Sequence, residues 1–149
     1  MHFRLPTICL VLFLFFLAGC GQRNPNLPAQ YPVSGTVTLD GKPLAGAGVM
    51  FLPRGDTRGT GAMGTTDEAG KYTLKTDYGG PGAPEGEFAV TISKVVNRDG
   101  TPYVPNPDVA EAGGRETLPG RFSDSMKTEL SAQVAKEGNT IDFELKSKR

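Results

Sequence analysis

Few side chains in this 149-residue chain can do covalent or acid–base chemistry, and they are unevenly placed. The single His is His2, the two Cys are Cys9 and Cys20, and Trp is absent. A nucleophile further along would have to be a Ser helped by Lys, or an acid. Ser34, Ser93, Ser123, Ser125 and Ser131 stand at outward strand or loop positions with no motif around them. Asp67-Glu68 and Glu85/Glu87 are paired carboxylates of the kind that general acid–base catalysis uses, and they read more simply as solvated turns and strand faces. Asp56, Asp67, Glu68 and Asp99 offer the oxygen ligands that Ca²⁺ takes, but no D-x-D-x-D-G spacing occurs. A Lys–Asn isopeptide bond needs both residues buried beside an acid, and its candidates, Lys42 and Asn139, read as turn residues. The pattern points away from an enzyme, and it gives no metal site and no cofactor.

Cys20 is the exception. Residues 7–19 form an apolar run that follows Arg4 and ends in Ala18 and Gly19, which is the n-region, h-region and small-residue order of a secretory signal. As a helix that run spans roughly 20 Å, short of a hydrocarbon core of about 30 Å. Leu17-Ala18-Gly19-Cys20 resembles the lipobox of bacterial lipoproteins at all four positions. The resemblance implies a diacylglyceryl group on the Cys20 thiol, cleavage between Gly19 and Cys20, and acylation of the new amine. Several acyl chains, at about 0.8 kcal/mol per buried CH₂, anchor far better than one. Gly21, where an Asp would resemble an inner-membrane retention signal, leans towards the outer membrane. The expected location is the cell envelope, facing periplasm or exterior.

Cleavage there leaves residues 20–149, with neither His nor a free thiol. Losing Arg4 from the sixteen basic residues leaves fifteen against sixteen acidic ones. This excludes His-based catalysis, a Cys nucleophile, His/Cys zinc sites and an internal disulfide. A near-neutral chain without basic runs also argues against nucleic acid as a partner.

The elements that must carry any site read as strands. Residues 21–30 hold two prolines and no periodicity, so 20–30 is expected to be a lipidated tether of about 30 Å reach, followed by one domain over 31–149. Val33, Gly35, Val37 and Leu39 alternate with polar residues, and Asp40-Gly41 supplies a tight hairpin turn. Val49-Met50-Phe51-Leu52 is expected to be a strand buried on both sides, and 60–66 a weaker one. Asp67 and Gly70 make a turn that enters a strand with Tyr72 and Leu74 inward. Phe88, Val90 and Ile92 form the next inward face, with Glu87, Thr91 and Ser93 outward. Residues 95–119 break the rhythm, with one or two helical turns expected near 106–113. Arg121-Phe122 is expected to restart extended structure. Leu130, Ala132 and Val134 alternate, Gly138-Asn139 turns, and Ile141, Phe143 and Leu145 alternate to the end. Seven or eight short strands joined by turns predict an all-β fold, an antiparallel β-sandwich.

"YPVSGTVTLDGKPLAGAGVMFLP", "GTTDEAGKYTL" and "GEFAVTISK" resemble the transthyretin-like (prealbumin-like) or carboxypeptidase regulatory-like domain. With "LPGRFSDSMKTELSAQV" and "NTIDFELK" after a lipobox, the chain is similar to small planctomycete lipoproteins of that type. The resemblance covers most of 31–146. It implies the sandwich and carries over no catalytic residue, since the shared motifs are packing and turn positions.

The loops 55–62, 78–86 and 95–119 are the expected contact surface, with Tyr78, Tyr103 and Val104 as its apolar anchors and Tyr31 where tether meets domain. The function expected from the sequence is a membrane-anchored, non-catalytic binding or structural module with an envelope protein or glycan as partner. The alternative is an accessory carbohydrate- or peptide-binding subunit of an envelope enzyme.

Overall fold

Residues 27–103 and 113–148 are described by the structure, a computed structural model. A short strand, β1 (Gln30–Tyr31), leads into β2 (Val33–Leu39), whose period-two pattern buries Val33 and Val37 and leaves Ser34 in water. Asp40 and Gly41 both take positive φ, 51° and 81°, the geometry that matches strand twist in a two-residue hairpin. The chain returns as β3 (Lys42–Pro43), with Thr38 opposite Pro43. Then follow β4 (Gly48–Arg54), β5 (Ala62–Thr65), β6 (Lys71–Thr73) and β7 (Lys75–Thr76). The turn before β6 forms as its residues dictate: the Asp67 carboxylate accepts from the backbone N–H groups of Ala69 and Lys71, each at 2.9 Å, and Gly70 has φ 74°. Next come β8 (Ala83–Pro84), β9 (Gly86–Ser93), β10 (Val95–Val96) and β11 (Arg115–Glu116). One helical turn, α1 (Gly120–Ser123), precedes β12 (Leu130–Val134), β13 (Asn139–Thr140) and β14 (Phe143–Leu145).

The fold is all-β, two sheets face to face. The first is antiparallel in the order β12-β9-β4-β5-β7. In the second, β2 is central, with β3 and β6 antiparallel along one edge and β13 and β14 along the other. Those last two run parallel to β2, with Asn139 opposite Val33 and Phe143 opposite Val37. This departs from an antiparallel expectation for a topological reason. Strand β12 ends beside Gly86, at the end of the molecule where β2 begins, so the bend at 135–138 delivers the chain to run alongside β2 in the same direction. Two small ladders, β1–β8 and β10–β11, complete the strands.

Phe51 and Phe88 of the first sheet and Phe143 and Tyr72 of the second meet in the middle. Phe51 lies 5.7 Å from Phe88 and 6.2 Å, edge-on, from Phe143, which stacks on Tyr72 at 6.3 Å. Each such buried ring contributes about 1.5–3 kcal/mol through area removed from water, and Val33, Val37, Leu74, Ile92 and Leu145 close the core around them.

Three further expectations are corrected. Strand β4 is buried on one side only: Val49 and Phe51 point into the core, while Met50 is 39% exposed on the outer face of the first sheet. Thr91 is buried there instead of wet, because β9 is central, with β4 and β12 on its edges and Met50 opposite Thr91. Arg121-Phe122 is helical, not extended. Pro119, at φ −58°, accepts the N–H groups of Phe122 and Ser123, and the turn tucks Phe122 into the core.

Candidate binding cleft where the tether joins the domain

The two ends of the sandwich are built differently. At one end β9 leaves into β10, where the long 95–117 excursion is tied down by Glu116 and by Thr117, whose hydroxyl and N–H both donate to the Lys94 carbonyl. Glu116 accepts the Ser93 hydroxyl on one oxygen, and the backbone N–H groups of Lys94, Thr117 and Leu118 on the other. An acid beside a serine invites a catalytic reading. Three N–H groups already on this carboxylate make it a clasp rather than a proton acceptor. Tyr103 belongs to this end. Its N–H donates to the Val95 carbonyl, and its ring lies so close over Gly114 that a Cβ there would fall 2.7 Å from it.

At the opposite end the N-terminal segment is strapped to the domain. Gln30 and Tyr31 pair with Pro84 and Ala83, so Gln30, assigned to the tether by sequence, is already in a strand. Close approach permits this, since Gly82 lies under the Tyr31 carbonyl and a side chain there would collide with it. Upstream, Pro28 rests on Gly59 and near Pro84. The 55–61 loop is pinned from the other side: the Thr57 hydroxyl donates to the Glu87 carbonyl at 3.0 Å and accepts the Glu87 N–H at 2.8 Å, directly over Gly86.

Between these segments lies an open cleft of about 380 Å³. Pro28, Ala29 and Tyr31 form one side, Asp56 and Arg58 another, and Pro84 with Glu85 the third, with Lys136 at the rim. Tyr31 is half-buried against the core, whereas all four charged groups are exposed. Lys136 reaches Glu85 at 3.4 Å, an exposed pair worth little by itself. Asp56 and Arg58 make no hydrogen bond or ion pair with other described residues, so both are available. The cleft therefore offers two acids and two bases and no net charge.

The structure separates the residues expected to form one contact surface. Tyr78, 59% exposed, follows β7 at the cleft end, alongside the 55–61 loop. Tyr103 stands beyond Ser93, the full length of β9 away, about 25 Å for eight residues. Val104 and the helical turns expected near 106–113 fall largely or wholly outside the described residues, as do Gly19, Cys20 and Gly21. Of the expected contact residues the cleft uses Tyr31, and it also takes Asp56, weighed above as a calcium ligand, and Glu85, weighed as one of a carboxylate pair. Asp56, Arg58, Glu85 and Lys136 come from three distant segments, and no spacing in the sequence joins them.

Other acids are occupied as turn clasps. Hydrogen bonds from Ser147, side chain first and backbone second, hold the Asp40 carboxyl below its ordinary range. Thr101 does the same for Asp99, and the Met126 N–H followed by Lys127 for Asp124. Burial, with Asp142 nearby, raises the Tyr72 phenol well above its usual value. Lys42 pairs with Leu39 and Asn139 with Val33, six residues apart along β2, so no isopeptide bond joins them. Among the described residues no group of three His, Cys, Asp or Glu side chains is arranged to hold a metal ion, and no helix is long and apolar enough to cross a membrane.

No protein-family model matches the chain, and no curated protein does. Among solved structures it is similar to a DUF3823 family protein from Parabacteroides merdae, with 12% identity and a TM-score of 0.39. That match covers 80% of this chain and 46% of the other, so the chain spans about half the length of its structural neighbour. A likeness this distant carries no argument about function.

Proposed function

We propose that this protein is a lipid-anchored module of the bacterial cell envelope whose β-sandwich binds a partner without transforming it. The observation that carries this reading is the position of the cleft. It stands where the chain from Cys20 enters the domain, walled on one side by Pro28, Ala29 and Tyr31. Its charged groups lie exposed around an open hollow, an arrangement suited to contact more than to the buried, desolvated acid–base pairs on which enzymes depend. The core behind it is sealed, and among the described residues no buried side-chain polar atom lacks a hydrogen-bond partner. The lipobox at 17–20 supplies the anchor, Gly21 favours the outer membrane, and the transthyretin-like resemblance of 31–146 suits a display domain. Anchoring confines the cleft near a membrane surface, which raises its effective concentration for any partner held there. The same cleft suits an accessory subunit that holds a carbohydrate or peptide for an envelope enzyme.

Intact mass and detergent partitioning of the native protein test the anchor. The wild-type chain is expected to begin at residue 20, carry acyl mass and enter the detergent phase, and Cys20→Ser to stay unmodified in the aqueous phase. Unmodified wild-type protein in the aqueous phase would sink this reading.

A further inference from the structure

Resting on the reading of the domain as a binding module, we infer that the cleft at the tether end is a binding site for a neutral saccharide. The hydrogen-bonding complement points there first. Asp56 and Glu85 only accept, and Arg58 and Lys136 only donate, whereas each sugar hydroxyl does both. A ring of hydroxyls placed between them can satisfy every one of these groups with charge-assisted bonds, roughly twice as strong as neutral ones.

Charge narrows the choice. An anionic ligand would meet two carboxylates, and a cationic one a guanidinium and an ammonium. Either would meet as many like charges as opposite ones, so net charge gains a ligand no attraction here. A neutral polyol avoids both. The apolar walls suit it as well: Tyr31, Pro28 and Pro84 offer surfaces against which the C–H face of a pyranose can pack. At about 380 Å³ the hollow is at the small end of ligand sites, which run from about 300 to 1,000 Å³.

The site is also prepared in advance. Proline rings fix φ on two sides, Thr57 is bonded in both senses to Glu87 between Asp56 and Arg58, and β1 is held on β8. The backbone is thus set in advance, and the ordering left for a ligand is that of the charged side chains. An extended peptide is the weaker fit, because β1 and β8 already use on each other the facing backbone groups with which a strand would pair.

Nuclear magnetic resonance on the mature, isotope-labelled protein in detergent micelles decides the matter. The probes are chitotriose and maltotriose as neutral trisaccharides, trigalacturonate as an anion and triglycine as a zwitterion. A neutral trisaccharide is expected to give saturable amide shifts at 56–58, 84–86 and 136. Its apparent Kd should change by less than about twofold between roughly 50 and 500 mM salt. Tyr31→Ala is expected to weaken it about tenfold or more, and Asp56→Asn about threefold to tenfold. Asp56 is exposed and has no partner among the described residues, so its variant keeps the test alive if Tyr31→Ala proves unstable. Saturable, salt-sensitive shifts from trigalacturonate or triglycine alone would overturn the assignment to a neutral saccharide and leave the binding-module reading intact. Silence from all four probes would overturn the assignment too. The module reading would then stand or fall on whether a photo-cross-linker at position 85 captures an envelope component in cells.

Discussion

Gly35 is a hydrogen where the fold has no room for more. A Cβ at this position would fall inside the Ile141 carbonyl oxygen and against the Tyr72 ring. Tyr72 lies opposite Gly35 in β6, crosses over it, and donates its hydroxyl to that same carbonyl at 2.6 Å. One glycine thus lets a side chain from one edge of the second sheet tie down the other edge, at the gap between β13 and β14. Gly35→Ala must push Ile141 away or tilt Tyr72, and is expected to cost about 3 kcal/mol. The check is a fall in the urea midpoint at unchanged m. Gly35 was legible from sequence as an inward strand position, but its contact was not, since Ile141 lies more than a hundred residues away. The cleft was half legible in the same sense. Tyr31 stood out as an aromatic where tether meets domain, whereas Asp56, Arg58, Glu85 and Lys136 looked like ordinary solvated charges. Only the fold brings them to one hollow.

Strands long enough to alternate were readable, because period-two burial leaves a pattern in the residues themselves. The two-residue ladders were not, for too few side chains repeat to show a period. Nor was the direction of β13 and β14, which the crossing at 135–138 decides. Two short segments are held in part by an acid. Glu116 is the main tie at the base of the 95–117 excursion, and Glu116→Gln would keep an oxygen on the three N–H groups, turn its NH₂ to the Ser93 hydroxyl and take the charge out of every bond. It is expected to loosen that base by about 2 kcal/mol, seen as faster amide exchange at 95–96 and 115–118 with β4 and β9 unchanged. The C-terminal residues are held by the Arg121 guanidinium, which donates to the Lys146 and Ser147 carbonyls, and by Asp40, which accepts the Ser147 N–H and also turns the β2–β3 hairpin. Its folded pKa lies below the unfolded value of about 3.9. Its contribution is therefore complete above that value and is lost as pH falls through the lower folded pKa. Below about pH 4 the Ser147 amide is expected to lose protection from exchange, while core amides such as Val49 keep theirs.

For the molecule as a whole, the two sheets behave as one unit because aromatic rings cross between them. Phe143 touches Phe51 in the facing sheet and Tyr72 in its own, so it belongs to both layers. Phe143→Ala is expected to cost about 3–5 kcal/mol. Calorimetry should show a single transition at lower Tm, since a domain of this size with one shared core unfolds as a unit. Two separate transitions would mean that the sheets are held together by something else. The sandwich class was visible from the sequence through turn spacing and alternation. The pairing order, and the separation of Tyr78 from Tyr103 at opposite ends, required the topology.

The docking of β1 on β8 also makes the domain a mechanical device. On the proposed anchor, any tension between membrane and ligand enters through residues 27–31. The first resistance it meets is a ladder of two residue pairs, Gln30 with Pro84 and Tyr31 with Ala83. Next in line is β2, gripped along both edges, whose removal would shear two sets of hydrogen bonds at once. Pulling therefore peels β1 long before it disturbs the core, and frees five residues, roughly 15 Å of chain, from the domain. The same motion strips Pro28, Ala29 and Tyr31 from the cleft. Under strain the proposed site would open while the sandwich stays intact, a weak link placed in series with a strong one.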